Sequence, residues 1–209
     1  MKIINPSYEI LTPINGQQIL KNIELYGRVS YKSEDKITDN SAEKFVKMLI
    51  DRGHESVLEH AGFSVRFICD RGISHEIVRH RLASYTQEST RYCNYSNNKF
   101  NEEITVILPF FFIDSYDKYD AWKSHCLQSE KAYFDLLSLG VTPEEARSVL
   151  PNSLKTDIIV TENLREWRHF LRLRTSKTSH PQMRQLTIPL LKELQSKIPV
   201  IFNDIEIND

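Results

Sequence analysis

Cysteine is scarce. Only Cys69, Cys93 and Cys126 occur among 209 residues, an odd number at wide spacing. With no CxxC pair and no Cys/His zinc pattern, neither a disulfide framework nor a metal site is encoded, and free thiols in a reducing cytosol are expected. Long apolar runs are missing too. The longest, Ile104 to Ile113, has ten uncharged residues and contains Pro109, whereas a membrane-spanning helix needs about 20. The N-terminal Met1-Lys2-Ile3-Ile4-Asn5-Pro6 has neither an apolar core nor a small-residue cleavage site, so secretion is not expected and a cytoplasmic location is. No Gly/Ser linker, internal repeat or low-complexity tract divides the chain. A composition of 40% hydrophobic and 26% charged residues excludes a mostly disordered protein. A chain this long can bury roughly 70% of its unfolded surface without staples, so one domain over residues 1–209 is expected.

Charge of one sign is also lacking overall: 27 Lys+Arg against 28 Asp+Glu leave a net −1. That balance hides an uneven distribution. Of 13 arginines, five lie in 66–91 and five in 165–184, and lysine is almost absent there, with only Lys177. The second window carries +5 and the first +2, so the net −1 leaves −8 on the remainder. Arginine is preferred over lysine where a planar fork must grip phosphate or carboxylate. The windows point to an anionic ligand.

The hydrophobic pattern predicts a mixed α/β chain in which helices dominate. Helices are expected over about 15–27, from a cap at Asn40-Ser41 to Gly53, from a Ser74 cap to about Leu82, and over about 116–139 ending at Gly140. Thr142-Pro143-Glu144-Glu145 is a capping box opening a further helix. Leu164–Arg174 is helical, and Pro181 can open a last helix that Pro189 should kink. Alternation predicts strands at Phe63–Cys69, Ile104–Leu108 and Thr156–Val160. Residues 84–100 read as a polar loop.

Arg79-His80-Arg81 is the densest chemical group. Cations near a predicted helix end complement the helix dipole, which alone would explain them. The following segment tilts the balance, because Ser89 and Arg91 offer hydroxyl, backbone N–H and guanidinium groups that can converge on a phosphate. A competing reading is a nucleic-acid-binding module, which would use more lysine and interleaved aromatics. The scarcity of lysine and the −8 outside the windows count against it.

Four ordered segments resemble those of the flavin-dependent thymidylate synthases. Arg79-His80-Arg81, then seven residues, then Ser89 matches that family's signature, within the string RHRLASYTQESTRY. Gly53-His54-Glu55-Ser56…Glu59-His60, Ala146-Arg147…Leu150-Pro151 and Asn163-Leu164-Arg165…His169…Arg174…His180 are similar to its other segments. The resemblance spans roughly residues 40–185.

It implies a single domain with an antiparallel or mixed sheet and flanking helices. It implies transfer of a methylene carbon from methylenetetrahydrofolate to C5 of dUMP, with FAD reduced by NADPH supplying the hydride. It also implies a homotetramer whose sites are built from several subunits, with no metal and no nucleic-acid partner. On this resemblance Ser56, Arg79, His80, Arg81, Gln87, Asn163, Arg165 and His169 contact FAD. Glu76, Arg79, Gln87, Glu88, Ser89, Arg91, Arg147 and Arg174 hold dUMP. Arg174 is the expected activating group, because a fixed guanidinium stabilises negative charge developing on the uracil N3/O4 edge.

Three departures stand out. Gln87 occupies a position that is often acidic, Glu76 one where an amide also occurs, and His169 one that is Asn in some relatives. Ser89 as a nucleophile would need an adjacent base and is read as a substrate contact. Cys93 is read as a packed or oxidation-prone thiol, His54 as flavin-side, His60 as structural, and His75, His125 and His180 as surface or capping groups. Phe110-Phe111-Phe112 and Trp122 are read as core or subunit contacts.

Overall fold

The computed structural model describes residues 1–97 and 100–207. Its helices are α1 (Gly16–Val29), α2 (Ala42–Asp51), α3 (Arg71–Ile77), α4 (Tyr116–Ser138), α5 (Pro143–Ala146), α6 (Leu164–Arg174), α7 (Pro181–Lys197) and α8 (Pro199–Phe202). Its strands are β1 (Lys2–Ile4), β2 (Ser7–Ile10), β3 (Gly62–Asp70), β4 (Ala83–Gln87), β5 (Thr105–Ile107) and β6 (Lys155–Asn163). β1 and β5 pair in parallel, Lys2 opposite Thr105. The other strands form an antiparallel sheet in the order β2-β3-β6-β4. The class is mixed α/β, as the pattern predicts. No helix among the described residues is long and apolar enough to cross a membrane.

The chain divides into two compact units. The first comprises 1–7, 67–79 and 86–159. Its core gathers Ile104, Val106, Cys126, Tyr133, Ala146 and Leu154, with Trp122 packed at the edge. The Trp122 indole donates to Ser153 Oγ at 2.9 Å, so its polar edge is satisfied. Phe110 and Phe111 are largely exposed rather than core. The Thr142 capping box forms, and Pro143 sits in the first turn of α5.

The second unit comprises 8–66, 80–85 and 160–209. Asn15 caps α1 by accepting the Gln18 N–H, and Gly53 takes φ +71° just beyond α2, where a side chain would be strained. Apolar residues of α6 and α7, among them Trp167, Phe170, Leu171, Leu190 and Leu194, are buried with Ile23, Val46 and Leu58. Trp167 stacks on Phe63 at 4.9 Å and donates its indole N–H to the Phe63 carbonyl.

Two expectations need correction. The helix predicted from Ser74 to Leu82 begins earlier and ends sooner. Asp70 is its cap, accepting the Ile73 N–H at 2.7 Å, and the helix stops at Ile77. Arg79-His80-Arg81 therefore lies beyond the last turn, and the dipole explanation for it lapses. The polar loop predicted from residue 84 begins as strand β4, in which Ser84 and Thr86 are exposed while Ala83, Tyr85 and Gln87 are half-buried. Polar side chains on both faces masked that period of two. Residues 98 and 99 of the predicted loop lie outside the described residues. Pro189 sits inside α7, which continues to Lys197.

Candidate functional site

In the second unit, β6 ends at Asn163, whose side chain caps α6 by accepting the Glu166 N–H at 2.9 Å. The Leu164 N–H donates to the Ala61 carbonyl, tying the start of α6 to the segment before β3. From there α6 presents Glu166, Phe170 and Arg174 at four-residue steps, one helix face.

His80 lies on that face. Its ring meets Phe170 edge-on at 4.7 Å and His169 at 5.7 Å. Nδ1 is 3.3 Å from Glu166 Oε1, and Nε2 is 3.0 Å from Arg174 Nε. Burial, then the Arg174 guanidinium, then His169 depress the His80 pKa to about 4, so the ring is neutral near pH 7. Arginine Nε–H can only donate, so Nε2 accepts and the single ring proton sits on Nδ1, directed at Glu166. The contact with Glu166 is thus a hydrogen bond to a neutral imidazole and not an ion pair. His80, Glu166 and His169 could in principle gather around a metal ion. Both His80 nitrogens are already engaged, which argues against that use. The Tyr85 hydroxyl donates to the His80 carbonyl and fixes the backbone beneath the ring.

Beside this cluster are two adjoining clefts. One, about 620 Å³, is lined by Glu55, Glu59, Leu82, Asn163, Arg165, Glu166, His169 and Arg172. The other, about 500 Å³, is lined by His60, Gly62, Arg81, Ser84 and Glu162 and shares Glu59, Leu82 and Asn163. The sequence-predicted flavin residues Arg81, Asn163, Arg165 and His169 all line these clefts. His80 is buried behind them, and Ser56 is exposed in the short 3₁₀ segment Glu55–His60. His60 packs on the Tyr26 ring at 5.0 Å, and His180 caps α7, accepting the Gln182 N–H.

The arginine-rich window is more internally paired than its composition suggests. Arg165 meets Glu59 at 2.6 Å and Arg172 meets Asp204 at 2.8 Å. Arg168 is fully buried, bound to Glu55, Asp204 and the Ile201 carbonyl. It is a structural residue that the charge count could not separate from ligand-facing ones.

Two acids that the sequence motifs do not single out, Glu162 and Glu166, also lie here. Both carboxyl oxygens of Glu162 are buried and have no hydrogen-bond partner among the described residues. Burial and the nearby Glu166 raise its pKa to about 8, so it is largely protonated at neutral pH. Burial also raises Glu166. An acid at an inward position of a strand was the available signal.

The first unit holds the sequence-predicted nucleotide residues other than Arg174, which belongs to the second. Arg147 Nη1 reaches Thr90 Oγ1 at 3.4 Å, and Arg91 pairs with Glu144 at 2.8 Å. Ser89 Oγ accepts the Arg91 backbone N–H at 3.2 Å, the geometry of a turn rather than of a base-activated nucleophile. Ser89, Arg91 and Arg147 thus surround one turn, with both guanidinium groups at exposed positions. Glu88 is bound to Lys155 at 2.8 Å, and the Gln87 amide donates to Ser74 Oγ and Thr156 Oγ1. These two side chains are therefore engaged within the protein. Glu76 is half-buried in α3, and Arg79 is exposed just beyond it.

The chain matches the family model described as thymidylate synthase complementing protein over residues 15–200. It is 36% identical over 176 residues to a flavin-dependent thymidylate synthase of Pyrococcus furiosus, covering 84% of this chain and 71% of that protein. A flavin-dependent thymidylate synthase of Geobacter sulfurreducens is 33% identical over 189 residues, covering 87% and 80%. Among solved structures, a UMP/dUMP methylase of Streptomyces cacaoi bound with 5-Br dUMP superposes with a TM-score of 0.79 at 21% identity, covering 97% of this chain and 96% of that one. At that identity the likeness speaks for the fold.

Proposed function

This chain belongs to the flavin-dependent thymidylate synthase family, and from that premise we propose that it converts dUMP to dTMP within one catalytic domain over residues 1–209. Methylenetetrahydrofolate is the carbon donor, NADPH the reductant and FAD the cofactor, and the working form is a homotetramer. The observation that carries the reading is the 3.0 Å contact between His80 and Arg174. It joins two arginine-rich segments 94 residues apart, each of which the sequence ties to an anion.

The second unit's clefts fit a dinucleotide flavin. Arg81 and Arg165 suit a diphosphate, and the Asn163 amide and His169 ring suit the polar edge of a heterocycle. When bound and reduced there, the flavin supplies the hydride that completes the methyl group. The remaining chemistry belongs to the protein. Ser89, Arg91 and Arg147 grip the dUMP phosphate with charge-assisted hydrogen bonds. Arg79, Glu76, Gln87 and Glu88 hold the nucleotide or support the segment that does. Arg174 stabilises negative charge on the uracil edge as C5 becomes nucleophilic, and it is not consumed. A nucleic-acid-tracking role finds no support in this geometry. Arg168 is fully buried and Arg172 is held by Asp204, so these two offer no exposed basic track for a phosphate backbone.

The test is direct. The purified protein should show a flavin visible spectrum that changes on titration with dUMP, and should release the C5 hydrogen of dUMP in an NADPH-dependent manner. Arg174→Ala should abolish that release and leave flavin binding nearly intact. Protein that neither binds flavin nor releases the hydrogen would overturn the proposal.

A further inference from the structure

We propose that Glu166 is a positioning residue that acts through His80 to hold the Arg174 guanidinium in its working orientation. The inference rests on the reading of Arg174 as the group that activates the uracil. Glu166, Phe170 and Arg174 follow one another along one face of α6, and the His80 imidazole bridges that face with Phe170 edge-on to it. One ring nitrogen meets Glu166 and the other meets Arg174.

The order of donors gives the arrangement its direction. Arg174 Nε–H must find a lone pair on His80 Nε2, so the imidazole proton must be on Nδ1. With the proton on Nε2, two N–H groups would point at each other across 3.0 Å. Glu166 selects the useful tautomer by accepting Nδ1–H at 3.3 Å. The His80 ring and Glu166 are both largely buried, although Glu166 also edges the cleft. The Tyr85 hydroxyl on the His80 carbonyl holds the backbone in register.

A neutral imidazole is also the appropriate partner for this arginine. A carboxylate in its place would orient the guanidinium but cancel much of the charge that the transition state needs. His80 orients it and leaves that charge in place. This accounts for a buried acid, Glu166, that makes its hydrogen bond to a neutral ring and stands one step removed from the cation.

The experiment compares Glu166→Leu and Glu166→Gln with wild-type holoenzyme and with Arg174→Ala. Leucine fills the buried site without an acceptor, whereas glutamine can still accept from Nδ1–H. FAD affinity is read by flavin fluorescence in both Glu166 variants, because Glu166 lines the flavin cleft, and turnover is compared at saturating FAD. The turnover number for C5 hydrogen release should fall about tenfold or more in Glu166→Leu and recover to within about threefold in Glu166→Gln. Nitrogen-15 spectra of histidine-labelled protein, with the His80 signals assigned by their loss in His80→Asn, should show the Nδ1–H tautomer in wild type and Glu166→Gln but a mixture in Glu166→Leu.

An unchanged tautomer or unchanged turnover in Glu166→Leu overturns the inference, as does a Glu166→Gln enzyme as impaired as Glu166→Leu. Should Glu166→Leu fail to fold, Glu166→Ala takes its place with the same readouts. If Arg174→Ala retains turnover, the reading of Arg174 itself fails. That result is distinguishable, because the tautomer shift would still occur.

Discussion

Arg168 and Asp204 form a two-point ion pair across 36 residues, with Nη1–Oδ1 at 2.7 Å and Nη2–Oδ2 at 2.8 Å. Arg168 is fully buried, so its charge is tolerated only because Asp204, Glu55 and a backbone carbonyl surround it. Removing Asp204 leaves that buried charge only partly compensated, by Glu55 and the Ile201 carbonyl.

Asp204→Ala is therefore expected to destabilise the protein by about 1.5–3 kcal/mol, the worth of hydrogen bonds to a charged group. Arg172→Ala, which removes a half-exposed pair to the same aspartate, should cost about 1 kcal/mol or less. Urea unfolding midpoints at neutral pH check both values. Equal effects from the two variants would contradict the distinction drawn here between a buried and a surface pair.

Asn163 has a structural role and a proposed flavin-binding role, and one substitution separates them. Aspartate caps a helix about as well as asparagine, whereas alanine costs about 1 kcal/mol. Asn163→Asp should keep wild-type stability, because its carboxylate can still accept the Glu166 N–H. It should nonetheless weaken FAD binding, since it loses the amide donor and places a negative charge beside the cleft. Thermal melting together with a flavin titration measures the two effects. Unchanged flavin affinity in Asn163→Asp would restrict Asn163 to capping.

Ser89→Ala tests the assignment of that hydroxyl as a binding group. Its Oγ accepts a neighbouring backbone N–H, the arrangement of a turn. The variant should raise the KM for dUMP several-fold while C5 hydrogen release continues. A loss of turnover to background with KM preserved would instead indicate that Ser89 takes part in the chemistry.

Much of this was legible in the sequence, and the exceptions have physical reasons. Leu164–Arg174 is a helix with the expected bounds because an Asn cap precedes it and apolar residues recur at helical spacing. The Thr142 capping box is also present. β1, β2 and α8 are short and were unreadable, because 3 or 4 residues carry too little periodicity. The extent of α3 differs from the expectation because Asp70, and not Ser74, accepts the first free N–H of the helix. In the candidate site the arginine windows were visible as composition. Composition could not reveal that Arg168 turns inward or that Gln87 and Glu88 are engaged by Ser74 and Lys155. Glu162 and Glu166 carry little signal of their own in the sequence, because an acid reads as solvated until its neighbours are known.

Glu162 should leave a signature in the pH dependence of stability. Its folded-state pKa, about 8, lies above the ordinary value of 4.5, because burial and then Glu166 disfavour the ionised carboxylate. Below pH 4.5 the group is protonated in both folded and unfolded chains and contributes nothing to pH dependence. As pH rises from there, the unfolded chain ionises first while the folded chain keeps its proton. Unfolding then becomes easier by up to about 1.4 kcal/mol per pH unit. The loss levels off above pH 8, where both states are ionised. Glu162→Gln keeps the shape and removes the titration. The variant should match wild type near pH 4 and exceed it in urea midpoint near pH 8, with the gap opening steadily in between. Glu166, Tyr85 and Arg174 titrate or carry charge nearby and are present in both proteins, so the difference between the two curves isolates Glu162. A gap that stays constant across the range would mean that Glu162 is ionised in the folded protein and has a partner for its charge.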